Sequence, residues 1–88
     1  MMEINGMSRT DFDRLFDQYK GCEFSIGGRN FIVYKSEVKK MYSIDEIVQG
    51  ESVRIALCPS HTACLEVKLF NGKSFNEQFS DISVDWVA

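Results

Sequence analysis

The chain has 88 residues, of which 44% are hydrophobic and 26% charged, and its net charge is −3 at neutral pH. That length suits one domain, taken as residues 1–88, and the composition is that of a globular protein rather than a disordered one. Its mild acidity excludes nucleic-acid binding driven by overall charge. The sequence shows neither an apolar stretch of roughly 18 residues nor a signal peptide, so we expect a cytoplasmic protein.

The first predicted element is a helix over residues 8–20. Ser8 stands three positions before an aspartate, the spacing with which a cap satisfies the free amides of a first helical turn. Four large apolar residues then recur at helical intervals: Phe12, Leu15, Phe16 and Tyr19. Gly21 is expected to end the helix in a left-handed conformation, while Asp13 and Asp17 make the opposite face acidic.

The middle of the chain predicts a hairpin followed by a short helical turn. The hairpin spans residues 22–35, and Gly27 and Gly28 supply the positive φ angles of its tight turn. Residues 35–42 are polar and basic, and either extend this strand or form a loop. A second capping spacing begins at Ser43 and predicts a helical turn at 44–49.

The last third of the chain predicts further strands. Alternation of apolar residues favours strands at 53–58 and 65–70, each with one buried face. The Asn71-Gly72 pair predicts a hairpin turn, and the parity of the flanking residues favours a bulged three-residue loop at 70–72. Residues 74–82 fit strand and helix equally, and a final strand is predicted at 82–86. The fold class is therefore α+β: an N-terminal helix packed on a small, mainly antiparallel sheet of four to six strands built from hairpins.

The sequence offers little support for catalysis, and no cofactor is expected. The chain has one histidine, carboxylates that fit helix capping, and no phosphate-binding loop, so we expect a non-enzymatic protein. A small zinc-binding module remains an alternative because Cys58, His61 and Cys64 share one loop and Cys22 could complete four ligands. The favoured interpretation is that the three cysteines are reduced thiols, with Cys58 and Cys64 as half-buried residues on either side of a loop that contains His61.

A second alternative is a single-stranded nucleic-acid-binding domain that uses the basic segment 29–42. Basic residues there alternate with aromatic residues, a pattern that can follow a backbone and stack bases. The basic residues are Arg29, Lys35, Lys39 and Lys40, and the aromatic residues are Phe31, Tyr34 and Tyr42. The acidic pI of about 5.0 weighs against this function.

The leading expectation is a protein-binding module that inhibits or regulates a partner by stoichiometric occlusion. The contact would be the acidic helix or an open sheet edge. The candidate partner-binding residues are Asp13, Asp17, Tyr34, Lys39, Lys40 and Tyr42. Compact acidic chains without catalytic motifs are typical of phage anti-defence proteins, including anti-CRISPR proteins, and of immunity proteins, an analogy at the level of class only.

Overall fold

The structure is a computed structural model, and it describes residues 2–3, 7–37 and 40–88. Its strands are β1 (Met2–Glu3), β2 (Gly21–Ile26), β3 (Arg29–Lys35), β4 (Tyr42–Val48), β5 (Glu51–Cys58) and β6 (Ser83–Val87). Its helices are α1 (Arg9–Leu15), α2 (His61–Leu65) and the 3₁₀ helix Asn76–Asp81.

The six strands form one antiparallel sheet in the order β1-β6-β2-β3-β4-β5. The helices cover one face of this sheet, where the buried apolar side chains of both layers make one core. The predicted α+β class is confirmed. No helix of the described residues is long and apolar enough to cross a membrane.

Helix α1 begins as predicted and ends earlier. The Ser8 side chain accepts a hydrogen bond from the Asp11 amide at 3.1 Å, but the helix ends at Leu15 rather than at residue 20. The Lys20 amide bonds to the Val87 carbonyl at 2.8 Å, which draws the chain into the sheet. Gly21 is therefore the first residue of β2, and the prediction that it ends the helix is wrong.

The β2–β3 hairpin is confirmed, with Gly27 and Gly28 at φ angles of 61° and 78° in a two-residue turn. The helical turn predicted at 44–49 is wrong, because that segment is β4, paired with β3 and β5. Ser43 does not cap a helix, and its hydroxyl donates to Asp45 Oδ1 at 2.7 Å. Gln49 and Gly50, both at positive φ, form the turn into β5.

Strand β5 is confirmed, although its predicted buried face is wrong. Ile44 pairs with Ala56 and Asp45 with Arg54, so a β-bulge leaves Ile55 without a partner on β4. Beyond the bulge, Cys58 is buried in the core, whereas Val53 and Ile55 are exposed. The single inserted residue breaks the alternation that the sequence pattern assumed.

The strand predicted at 65–70 is wrong. Ser60 caps α2 instead, accepting from the Ala63 amide at 3.2 Å. The turn at Asn71-Gly72 is a two-residue turn, because Phe70 and Lys73 exchange backbone hydrogen bonds, so the bulged loop is also wrong.

Residues 74–82, which the sequence left between strand and helix, contain the 3₁₀ helix Asn76–Asp81. Its start is a reciprocal capping box in which the Ser74 amide donates to Glu77 and the Glu77 amide donates to Ser74. The final strand is confirmed as β6, which pairs with β2.

The two glycines of the β2–β3 turn allow a matched test of this packing. A Cβ on Gly27 would lie 2.4 Å from the Phe70 ring, whereas a Cβ on Gly28 would meet nothing within 4 Å. We expect Gly28→Ala to lower the free energy of unfolding by about 1–2 kcal/mol, the strain of a left-handed alanine. Gly27→Ala adds a steric clash worth about 1–3 kcal/mol more. Urea denaturation of both variants measures the difference, and equal losses would contradict the packing of Phe70 on this turn.

Candidate functional site

A groove of about 1050 Å³ lies at the end of the sheet where β2 begins, β3 ends and β4 begins. The turn after α1 forms one wall, and Ser36, Glu37 and Lys40, between β3 and β4, form the other. We call it the end groove, and its described lining residues are Phe16, Asp17, Tyr19, Lys20, Gly21, Ile32, Tyr34, Lys35, Ser36, Glu37, Lys40, Tyr42 and Val87. Its size is that of a site that holds a ligand or a segment of another chain.

The inner surface of the groove is apolar, and Gly21 helps to shape it. A Cβ at Gly21 would lie 3.0 Å from the Val33 carbonyl oxygen and 3.1 Å from the Tyr34 Cβ. The absence of a side chain therefore lets β2 approach β3 closely at the point where the groove opens. Phe16, Tyr19 and Val87 supply apolar surface around this point.

Asp45 and Ser43 hold the Tyr34 side chain in place through hydrogen bonds. Its hydroxyl donates to Asp45 Oδ2 at 2.9 Å, and the Ser43 hydroxyl donates to the other oxygen of the same carboxylate at 2.7 Å. Asp45 is only 3% exposed, so two donors satisfy a carboxylate that is nearly shut off from water. The Tyr34 ring consequently lines the groove in a fixed orientation.

Tyr42, the first residue of β4, also lines the groove. Its ring meets the Phe16 ring edge-on, with centroids 6.2 Å apart, and the His61 ring at 5.5 Å. Burial, together with the negative charge of Asp17, raises the pKa of Tyr42 above its ordinary value. The hydroxyl therefore stays protonated at neutral pH and can donate a hydrogen bond.

Three lysines at the groove, Lys20, Lys35 and Lys40, carry unneutralised positive charge. None of them has a side-chain hydrogen bond or ion pair within residues 2–3, 7–37 and 40–88. Asp17 and Glu37 are the negative groups of the lining, so positive charge exceeds negative charge here although the whole chain is acidic.

The structure brings four of the six predicted partner-binding residues together in the end groove: Asp17, Tyr34, Lys40 and Tyr42. Asp13 lies apart, since its Oδ1 atom bonds to Arg9 Nε and His61 Nε2, each at 3.0 Å. Lys39 falls outside the described residues. The acidic helix face is not a continuous surface, because α1 ends before Asp17.

Sequence reasoning missed Lys20, Tyr19, Ile32 and Val87 as parts of this site. Lys20 and Tyr19 reach the groove because the Lys20 amide bonds to Val87, the last residue of β6. No local signal marks that contact, since it joins two segments far apart in the chain.

The proposed zinc ligands do not form a set. Within the described part of the chain, no three His, Cys, Asp or Glu side chains lie close enough to hold a metal ion. His61 instead contacts Asp13 and stacks on Phe16, with ring centroids 4.3 Å apart. Cys22 is on β2, and β3 and β4 separate it from Cys58 on β5.

The basic segment 29–42 is also divided. Arg29 lies at the far end of β3 from Lys35 and makes an ion pair with Glu46. Phe31 is fully buried in the core. Among the described residues, the basic and aromatic side chains of this segment therefore do not form one continuous surface.

In comparisons with protein-family models, curated proteins and solved structures, the chain has no match. The geometry of the site therefore carries the functional argument.

The cysteines give a test of the core beneath the groove. Burial is the main cause that raises the pKa of Cys64 to about 12, and a hydrogen bond with the Cys58 side chain contributes to the rise. Burial also raises the pKa of Cys22. Because the thiolate is the reactive form, we expect iodoacetamide at pH 8.5 to label both at least about 100-fold more slowly in the folded protein than in urea. Mass spectrometry of the digested protein measures the rates. Labelling of the folded protein at the rate seen in urea would contradict buried, protonated thiols.

Proposed function

We propose that this protein is a non-enzymatic binding module that inhibits or regulates a partner protein by stoichiometric occlusion, and that the end groove holds a segment of that partner. The observation that carries the proposal is the convergence of Asp17, Tyr34, Lys40 and Tyr42 on one groove with an apolar inner surface. Aromatic side chains around apolar surface, with polar groups at the rim, are the usual composition of a protein interface.

The fixed orientation of Tyr34 supports this role. Its hydrogen bond to Asp45, itself held by Ser43, restricts the ring before any partner arrives. An aromatic side chain that is already ordered loses little conformational entropy on binding, so more of its contact energy contributes to affinity. The same reasoning applies to Tyr42, whose ring packs edge-on against both Phe16 and His61.

The charge of the groove favours an acidic partner segment. Lys20, Lys35 and Lys40 have no ion-pair partner within the described ranges, so a carboxylate-bearing segment could pair with them. Asp17 and Glu37 at the rim would disfavour a uniformly anionic ligand such as a phosphate backbone. We therefore favour a peptide segment that combines carboxylates with an apolar residue over single-stranded nucleic acid.

Regulators of this kind catalyse no reaction and act by covering a surface that the partner needs. Phage anti-defence proteins and immunity proteins are the classes whose general profile this chain shares, and we place its action in the cytoplasm of a microbial cell. This assignment rests on class alone, whereas the binding role rests on the groove.

The binding role can be tested with a displayed library of random dodecapeptides. We expect the chain to select peptides that carry Asp or Glu beside an aromatic or aliphatic residue. Lys35→Glu should weaken binding of the selected peptides by about tenfold, because it replaces an attraction with a repulsion. Lys73→Glu is the matched control, since Lys73 is equally an exposed lysine but lies outside the groove. Isothermal titration calorimetry measures both affinities.

Two outcomes would overturn the proposal. One is a selection that enriches no peptide, or peptides that bind Lys35→Glu and the parent equally well. The other is that oligothymidine displaces the selected peptides at physiological salt and binds more tightly than they do. That result would assign the groove to single-stranded nucleic acid.

A further inference from the structure

The β5 strand forms an open edge of the sheet and carries an unusual surface. It is the last strand in the order, so only β4 pairs with it among the described residues. The large apolar side chains that are exposed in the described residues all lie on the β4–β5 hairpin: Val48 at 43%, Val53 at 53% and Ile55 at 39% exposure. Clustering of exposed apolar groups at one place is typical of an interaction surface.

The backbone of β5 can accept another strand. Val48 and Glu51 flank the two-residue turn, so their backbone groups bond to each other, and the antiparallel alternation then directs Val53 toward β4. The same alternation directs the N–H and C=O groups of Ser52 and Arg54 away from the sheet. These are the groups that an added strand would pair with.

The first half of this edge lacks the usual protection. Natural edge strands are shortened, twisted away by a β-bulge, or carry proline, lysine or an inward-pointing charge that prevents pairing with another chain. The β-bulge of β5 lies at Ile55, beyond the segment from Ser52 to Arg54. β5 is 8 residues long and contains neither proline nor lysine, and its one basic residue, Arg54, lies opposite Asp45 of β4. At the other edge, β1 has 2 residues. The fold therefore leaves one long edge that is suited to pairing.

We propose that β5 pairs antiparallel with β5 of a second copy, with Val53 on the two-fold axis. Ser52 of each copy then lies opposite Arg54 of the other, and the outward backbone groups of both residues bond across the axis. The exposed Val53 side chains meet each other, and the two sheets join into one. A second copy fits because this strand is complementary to itself.

The other symmetric registers are less favourable. Pairing centred on Arg54 places two arginines directly opposite each other, where like charges repel. Pairing centred on Ser52 places each Val53 opposite Glu51 of the other copy and leaves Ile55 beyond the turn. The register centred on Val53 satisfies the outward backbone groups and brings apolar side chains together without placing like charges opposite each other. The end groove lies at the Tyr42 end of β4, whereas Val53 pairs with Glu46 toward the other end of that strand. The groove of each copy therefore stays open in the dimer.

A matched pair of lysine variants tests the edge. Val53→Lys places two ammonium groups opposite each other at the axis, whereas Val48→Lys adds the same charge to the same hairpin on the inner strand. Each lysine faces a glutamate across the β4–β5 ladder, Glu46 for position 53 and Glu51 for position 48, so both variants should fold. In sedimentation equilibrium at tens to hundreds of micromolar, we expect a dimer for the parent and for Val48→Lys, and a monomer for Val53→Lys.

Cysteine cross-linking tests the register. Residues opposite each other in a non-hydrogen-bonded antiparallel pair have Cα atoms about 4.5 Å apart, within the range of a disulfide. Mild oxidation should therefore link Val53→Cys into a covalent dimer, and link Arg54→Cys much more slowly, because Arg54 faces Ser52. The parent, whose three cysteines are buried, is the control and should stay unlinked.

The proposal is overturned if the parent is a monomer throughout that concentration range, or if Val53→Lys remains a dimer. A monomeric parent whose peptide or partner binding is lost in Val53→Lys would assign the edge to a strand of another protein instead. These outcomes do not depend on the end groove, so the Lys35→Glu result and the Val53→Lys result are read separately.

Discussion

The packing of Phe12 holds the helical layer on the sheet, and the rest of the structure depends on it. Its fully buried ring stacks on Phe75, with centroids 5.3 Å apart, and Phe75 in turn meets Phe24 of β2 at 4.7 Å. The same ring lies 5.3 Å from Trp86 of β6. A helix of 7 residues is too short to be stable alone, so these aromatic contacts position α1 and the turn that follows it.

The end groove is a consequence of that attachment. Once Phe12 fixes α1, Phe16 and Asp17 of the turn that follows it stand beside Tyr42 at one side of the groove, and Tyr34 of β3 lines another part of it. The aromatic rings and the lysines of the groove have different roles in binding. The rings provide contact area with little loss of entropy, and the lysines provide charge that a partner can neutralise. The β5 edge is a separate surface, because it offers backbone groups rather than side chains.

The residues of the groove could be predicted only where their chemistry was conspicuous. Tyr34, Lys40 and Tyr42 stand close together in a segment rich in basic and aromatic residues, so the sequence singles them out. Lys20 and Val87 are unremarkable residues at distant positions, and they meet because β6 pairs with the start of β2. Asp13 looked equivalent to Asp17 by spacing, yet its contacts with Arg9 and His61 commit it to the helix–helix junction.

By itself the sequence determined the features that depend on near neighbours: the Ser8 cap, the Gly27-Gly28 turn and the alternating strands around it. Only the tertiary structure decided the elements whose local signals were balanced. Residues 44–49 carry a capping pattern, but pairing on both sides with β3 and β5 buries Ile44 and makes them a strand. Residues 65–70 alternate like a strand, but no strand of the described sheet pairs with them, and the Ser60 cap directs the preceding residues into α2. Local propensities differ by a few tenths of a kcal/mol per residue, so burial and pairing between distant segments outweigh them.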